Sequence, residues 1–241
     1  MKKVYLLMTL LGLSTFTAQA QDEVRMRFGI KAAPNLAWTR SDTKELQSDG
    51  SRLGYSIGLM AEFPLGISGN YAFATGLYLT TIGGKSAYSY TYQTVDSAGL
   101  PPRDVTVVNK QDLSLRFVEL PLTIKMMTNE IGYLRYYGVL GVNAGVNIRA
   151  RADVETVTST NNVQDPMEES DVDVKDQIQA IRAALVIGAG AEYNFSGQTT
   201  ALFGITYNNS IINALEKDAF AGLDRPKLLA DYLELTLGIF F

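Results

Sequence analysis

The chain has 241 residues, of which 46% are hydrophobic and 19% are charged, so it can build a core and is not a disordered protein. Its formal charge of −4 argues against nucleic acid as a partner. Because the sequence contains no cysteine, it excludes disulfides, thiolate metal sites, a cysteine nucleophile and export as a lipoprotein.

Residues 1–20 are predicted to form a secretory signal peptide. Lys2 and Lys3 precede the apolar stretch Val4–Leu13, and alanines at 18 and 20 form a small-x-small cleavage site. The apolar stretch is well short of the roughly 20 residues that a spanning helix needs, so a membrane anchor is the weaker alternative. The mature domain is expected to cover residues 21–241 and to carry a formal charge of −6, because the signal removes two lysines.

The mature sequence alternates between apolar and polar or small residues with a period of two, which is typical of two-faced strands. The segment 53–63 is an example, with apolar side chains on one face and glycine, serine, methionine and glutamate on the other. In all, eight strands are predicted, at about 24–37, 53–63, 70–82, 113–126, 134–149, 181–194, 199–208 and 232–241.

The fourth predicted strand changes phase. Leu113, Leu115 and Phe117 are out of step with the apolar residues that run from Val118 to Met126. Two explanations fit this change: a bulge near Phe117 and Val118, or a strand that rises above a membrane.

The connections between these strands are alternately short and long. The short ones cover 64–70, 127–132 and 196–198, and the long ones cover about 38–52, 83–112, 152–177 and 209–228. This alternation predicts a closed, antiparallel up-and-down β-barrel with short periplasmic turns, four long extracellular loops and both termini on the periplasmic side.

The two faces of the strands differ in a way that favours a membrane barrel. Glycines are frequent on the polar face, aromatic residues occur near the strand ends, and the chain ends in Phe241. A soluble barrel with an apolar interior, such as a lipocalin, is the alternative. The pattern thus predicts a protein of the cell outer membrane, with lipid as its surroundings.

Three segments resemble the PorT-like outer-membrane β-barrel family: 28–36 (FGIKAAPNL), 117–125 (FVELPLTIK) and 235–241 (LTLGIFF). Ala33-Pro34 stands where that family usually has glycine-rich sequence. The resemblance implies an eight-stranded outer-membrane barrel. PorT itself takes part in type IX protein secretion, whereas most of its relatives have no assigned role. Envelope or secretion proteins are therefore expected partners only by this resemblance.

The end of the chain is predicted to be a signal for the barrel-insertion machinery, which reads a C-terminal aromatic residue in such proteins. The residues that alternate as this signal requires are Leu235, Leu237, Ile239 and Phe241.

Ionisable residues on the polar face are the candidate functional residues. An eight-stranded barrel is just wide enough to be filled by its own side chains, so these groups are expected to pair across the lumen and close it. An ion path or a site for a small polar ligand is the alternative. The predicted network consists of Lys31, Glu62, Glu119, Lys125, Arg135, Arg149, Arg182, Glu192 and Glu234.

An enzyme is not expected, because the sequence has no histidine to act as the base of a triad or as a metal ligand. No cofactor is predicted, since no phosphate-binding loop is present. The acidic segment between Asp153 and Asp176 is interpreted as a solvated loop; calcium binding is the alternative, although the spacing of a calcium loop is absent. Tyr88, Tyr90 and Tyr92 form either an adhesive surface or an extension of a strand.

Overall fold

The computed structural model describes residues 26–41, 46–66, 69–94, 103–160, 163–196, 199–216, 219 and 226–241. The predicted signal peptide lies outside these residues. The strands are β1 (Arg27–Ser41), β2 (Leu46–Leu65), β3 (Tyr71–Thr94), β4 (Arg103–Met127), β5 (Leu134–Thr160), β6 (Val163–Asp173), β7 (Ile181–Ser196), β8 (Thr199–Ser210) and β9 (Leu228–Phe240).

Eight of the strands in this described part close into a ring. Each is antiparallel to the next in the order β1, β2, β3, β4, β5, β7, β8, β9, and β9 pairs with β1 to complete the barrel. The remaining strand, β6, pairs with the upper part of β5 outside the ring. The predicted up-and-down barrel of eight strands is therefore confirmed.

The apolar faces of the strands point outwards. Leu53, Ile57 and Leu59 are exposed on β2, whereas Ser56 and Glu62 of the same strand are buried in the interior. This arrangement is the reverse of a lipocalin and gives the barrel a lipid-facing surface. No helix in the described ranges is long and apolar enough to cross a membrane.

The segments predicted as long loops are mostly strand. β3, β4 and β5 contain 24, 25 and 27 residues, more than twice the roughly 9–11 that cross a bilayer. Above the apolar band, the backbone pairing continues while the apolar outer face ends, so the sequence loses the pattern that marks a lipid-facing strand. Only the connection predicted at 209–228 contains little strand in its described residues.

The predicted bulge near Phe117 lies on the neighbouring strand instead. In β4 the side chains of Leu113, Leu115 and Phe117 point inwards in the same phase as Glu119. The pairing with β5 shifts by one residue opposite Phe117, and two consecutive residues of β5, Ile148 and Arg149, are exposed there. The phase change in the sequence therefore reflects a change in the interior from polar to apolar, which fits a strand that rises above the membrane.

The upper parts of β3 to β6 form what we call the extracellular sheet, consisting of residues 83–94, 103–116, 149–160 and 163–173. Tyr88, Tyr90 and Tyr92 belong to it as an extension of β3, and their rings stack with centroid distances of 6.3 Å and 6.2 Å. The turn at 128–133, the start of β1 at Arg27 and the C-terminal Phe241 lie at the opposite rim of the barrel.

Candidate functional site

The periplasmic half of the interior contains four interlocked charges, which we call the periplasmic cluster: Arg27, Glu62, Lys125 and Glu192. The Lys125 Nζ lies 2.6 Å from Oε1 of Glu62 and also contacts Glu192. Arg27 donates two hydrogen bonds to Glu192, of 3.0 Å and 2.9 Å, and contacts Glu62 as well. Each carboxylate is therefore shared by two cations, which is the arrangement that makes buried charge tolerable.

Aromatic rings cover the cations of the periplasmic cluster. The guanidinium of Arg27 lies 4.6 Å from the centroid of the Phe240 ring, and the Lys125 Nζ lies 4.3 Å from that of Tyr137. The Tyr137 ring in turn fits against β7 and β8 because Gly190 and Gly204 have no side chain; a Cβ at Gly204 would overlap its hydroxyl. These contacts fix the cations by cation–π attraction as well as by ion pairing.

Two further ion pairs lie higher in the lumen. The Lys31 Nζ lies 2.5 Å from Oε1 of Glu234, and the same nitrogen lies 4.1 Å from the centroid of the Tyr78 ring. Glu119 binds Nη1 of Arg182 at 2.8 Å and accepts a hydrogen bond of 2.9 Å from the hydroxyl of Tyr232. With the periplasmic cluster, these pairs place four cations against four carboxylates.

Between these pairs remains a cavity of about 90 Å³, lined by Lys31, Lys125, Tyr78 and Glu234 among others. The Oε2 of Glu234 is buried and has no hydrogen-bond partner in the protein. The cavity has room for a few water molecules, which would bind this oxygen. Its size suits water better than a solute.

The extracellular half of the interior is closed by an apolar core that we call the plug. Leu113, Leu115 and Phe117 of β4 form its centre, and inward side chains of β1, β2, β3, β5 and β9 surround them. From the connections above the barrel, Val174, Ile178 and Leu215 insert into the plug. A backbone bridge between Ile178 and Leu215 holds these connections together over the mouth.

Most of the predicted interior charges meet inside the barrel, but two do not. Lys31, Glu62, Glu119, Lys125, Arg182, Glu192 and Glu234 are all interior. Arg135 is half-buried at the periplasmic rim and forms no ion pair with the described residues. The placement of Arg149 in the lumen is wrong, because the shift in β5 turns its side chain outwards, where it faces Asp171 at 3.6 Å.

Arg27 and the plug are not among the features predicted from the sequence. Arg27 lies within the predicted strand 24–37 and shares the inward phase of Gly29 and Lys31, so following that phase two residues before Gly29 would have included it. The plug was missed because the whole lumen was assumed to be polar. Its signal was the phase change at Leu113, Leu115 and Phe117.

Comparison with known proteins decides the family. The family model described as "Outer membrane protein beta-barrel domain" matches residues 18–215, which is most of the chain. The chain belongs to this family. It is accordingly a protein of the outer membrane, as the sequence predicted. No curated protein sequence matches the chain.

Solved structures of outer-membrane barrels are similar to this member of the family in fold. Ail, the attachment invasion locus protein of Yersinia pestis, is 14% identical, with 89% of this chain and 98% of Ail covered and a TM-score of 0.35. Neisserial surface protein A is 13% identical, with coverage of 88% and 95% and a TM-score of 0.38. The outer membrane protease OmpT from Escherichia coli is 10% identical, with coverage of 95% and 99% and a TM-score of 0.37.

The C-terminal residues of this outer-membrane barrel domain lie on its lipid-facing surface. Leu235, Leu237, Ile239 and Phe241 are exposed there, and the amide of Phe241 donates a hydrogen bond of 2.9 Å to the carbonyl of Phe28. The alternation predicted for an insertion signal is present in the strand that closes the barrel. The signal itself remains a prediction.

The acidic segment of the domain is spread along a hairpin. Glu168, Glu169, Asp171 and Asp173 belong to β6, which pairs with β5. Within the residues that the structure describes, no three side chains of the metal-ligating types come together. Calcium binding stays a hypothesis without a geometric site.

Proposed function

We propose that this outer-membrane protein is a closed, non-enzymatic barrel that acts through contacts made by its extracellular sheet. The observation that supports the proposal is that the interior of the barrel is filled by side chains in both of its halves. Six ion pairs among four cations and four carboxylates occupy the part nearer the periplasm, and the plug fills the part nearer the outside. A barrel filled in this way serves as a rigid support for what it displays above the membrane.

A non-enzymatic role is supported by the state of the interior carboxylates. Glu62 and Glu192 are held by Arg27 and Lys125, Glu119 by Arg182, and Glu234 by Lys31. A general base must be able to reach a substrate proton, and these groups are enclosed by their own partners.

The face of the extracellular sheet, rather than its edge, is the proposed contact surface. Tyr90 and Tyr92 are exposed on β3, and rigid tyrosine side chains give large contact areas at little entropic cost. The edge strand β6 contains Pro166, a positive φ at Asp171 and a row of exposed carboxylates. These features disfavour the addition of another strand.

In-cell photo-cross-linking tests this proposal. A photoreactive phenylalanine analogue replaces Tyr92 on the extracellular sheet in one variant and, as the control, Tyr133 in a periplasmic turn in another. The proposal predicts discrete cross-linked protein bands from position 92 that differ from those at position 133. A role for the sheet is contradicted if position 92 yields no protein adduct while position 133 does.

Participation in protein secretion is a finer version of the same proposal, supported by the PorT-like segments of the sequence. In that case the partner cross-linked at position 92 is a component of the secretion machinery, and deletion of the gene lowers the amount of secreted protein. Restoration of secretion by a chain in which a short turn replaces residues 87–110 would exclude the extracellular sheet from that role.

Transport through a narrow pore is the second candidate, and the cavity beside Glu234 is the observation that favours it. It requires the plug to open. Conductance measurements in planar bilayers distinguish it from the closed barrel.

A further inference from the structure

A pocket lined by four arginines lies on the outer surface of the barrel. Arg52 of β2, Arg116 of β4, and Arg149 and Arg151 of β5 surround a space of about 180 Å³. Their inward neighbours Leu115 and Ala150 are buried, so Arg116 and Arg149 occupy outward-facing positions. We call this site the arginine pocket.

The arginine pocket begins where the apolar band ends. On β5, Arg149 follows Ile148 and Val146, which are exposed to lipid, and on β4 the outward residues below Arg116 are apolar down to Met126. Arg116 also donates a hydrogen bond of 3.4 Å to the hydroxyl of Tyr55 at the same level. Because the short turns mark the periplasmic side, this level is the headgroup region of the outer leaflet.

The pocket contains hydrogen-bond donors that the protein does not fully use. No carboxylate of the described residues lies within 4.0 Å of Arg116, and the Nε of Arg151 is buried without a partner. Arg149 and Arg151 lie 3.6 Å and 3.7 Å from the carboxylate of the exposed Asp171, beyond normal hydrogen-bond length, although Nη1 of Arg151 donates a hydrogen bond of 2.8 Å to the Asp171 carbonyl. The interior ion pairs, by contrast, are short.

The charges of the pocket are also unevenly placed. Arg116 and Arg149 stand directly opposite each other on neighbouring strands, where like charges repel. Asp112 is already bound by Arg52 at 2.6 Å, and Asp173 lies 3.6 Å from Arg151, so the nearby carboxylates leave Arg116 without an ion-pair partner among the described residues. An anion placed between Arg116 and Arg149 would relieve the repulsion.

We propose that the arginine pocket binds the phosphate group of a phosphorylated lipid in the outer leaflet. Guanidinium groups bind phosphate through paired hydrogen bonds, and four of them converge at the depth where lipid phosphates lie. The phosphate displaces the carboxylate of Asp171, which is exposed and lies beyond normal hydrogen-bond length from Arg149 and Arg151, while the backbone of Asp171 keeps its hydrogen bonds to Arg151 and Asp153. Bound lipid then anchors the base of the extracellular sheet to the membrane surface.

Native mass spectrometry of the full-length protein in detergent tests this inference with three probes: bis-phosphorylated lipid A, the same lipid without phosphate, and inorganic phosphate. The wild type is expected to bind the phosphorylated lipid at least about tenfold more tightly than the dephosphorylated one. The variant R116Q/R149Q is expected to lose this preference, whereas R135Q, at the periplasmic rim, keeps it.

Equal affinity of the wild type for both lipids overturns the inference, and this comparison requires no variant to fold. Retention of the preference by R116Q/R149Q, in protein that migrates as a folded barrel, overturns it as well. Inorganic phosphate that binds as tightly as the phosphorylated lipid would assign the pocket to a soluble anion and exclude the lipid.

Discussion

The two halves of the barrel interior are closed by opposite chemistry. In the periplasmic half, ionised side chains such as Lys125 and Glu192 neutralise one another across the lumen. In the extracellular half, the plug around Leu115 and Phe117 excludes water by apolar packing. The charges are stable only when each has an oppositely charged partner on another strand, whereas the plug is stable as long as its side chains fill the space between the strands. Truncation of a side chain should therefore destabilise the two halves to different extents.

The largest effect is expected from Lys125→Met in the periplasmic cluster. This change leaves Glu62 and Glu192 to share Arg27, and an uncompensated buried charge costs about 3–5 kcal/mol. Urea unfolding in lipid vesicles measures the loss. The added change Glu192→Gln removes the excess charge and should recover part of the stability; no recovery would show that the loss arises from packing.

A somewhat smaller effect is expected from Leu115→Ala in the plug. The side chain is almost fully buried, and truncation of a buried leucine to alanine costs about 2–5 kcal/mol because a cavity remains. Leu122→Ala on the same strand is the control, since lipid chains refill the space at this exposed position. Equal losses in the two variants would mean that Leu115 is not packed in a core.

Gly204→Ala tests the packing of Tyr137, which covers the periplasmic cluster. The new Cβ would overlap the hydroxyl of Tyr137, and overpacking of this kind costs about 1–3 kcal/mol. The combination with Tyr137→Phe removes the overlapping oxygen and is expected to be more stable than Gly204→Ala alone. Strictly additive losses in the double variant would argue against this contact.

The smallest effect is expected from Lys110→Met on the extracellular sheet. Lys110 pairs with Glu155 at 3.5 Å, and both side chains are more than two-fifths exposed. Such pairs contribute about 0.2–1 kcal/mol and weaken with salt. Urea unfolding at low and high salt measures this contribution to the free energy of unfolding. A loss as large as that of Lys125→Met would contradict the expectation that buried ion pairs matter more than exposed ones.

The sequence predicted the barrel and much of the periplasmic half for the same physical reason. Where the outside is apolar and the inside is polar, period-two alternation identifies both faces, and Glu62, Lys125 and Glu192 were found in this way. Where the inside becomes apolar, the alternation no longer tells the faces apart. Leu113 and Leu115 therefore resembled lipid-facing residues out of register.

Arg149 shows a second limit of the alternation. A bulge in β5 adds one residue between positions that share a phase, and every side chain beyond it changes face. The extra residue cannot be recognised from the strand itself, because Ile148 and Arg149 fit either phase by residue type. The same shift that removed Arg149 from the lumen placed it in the arginine pocket.

The conductance of the full-length protein in planar lipid bilayers tests the closed interior most directly. The wild type is predicted to insert without producing steady current, because the plug blocks the extracellular mouth, while Leu115→Ala combined with Phe117→Ala is predicted to conduct in brief openings. Steady open channels in the wild type would contradict the closed barrel and favour transport.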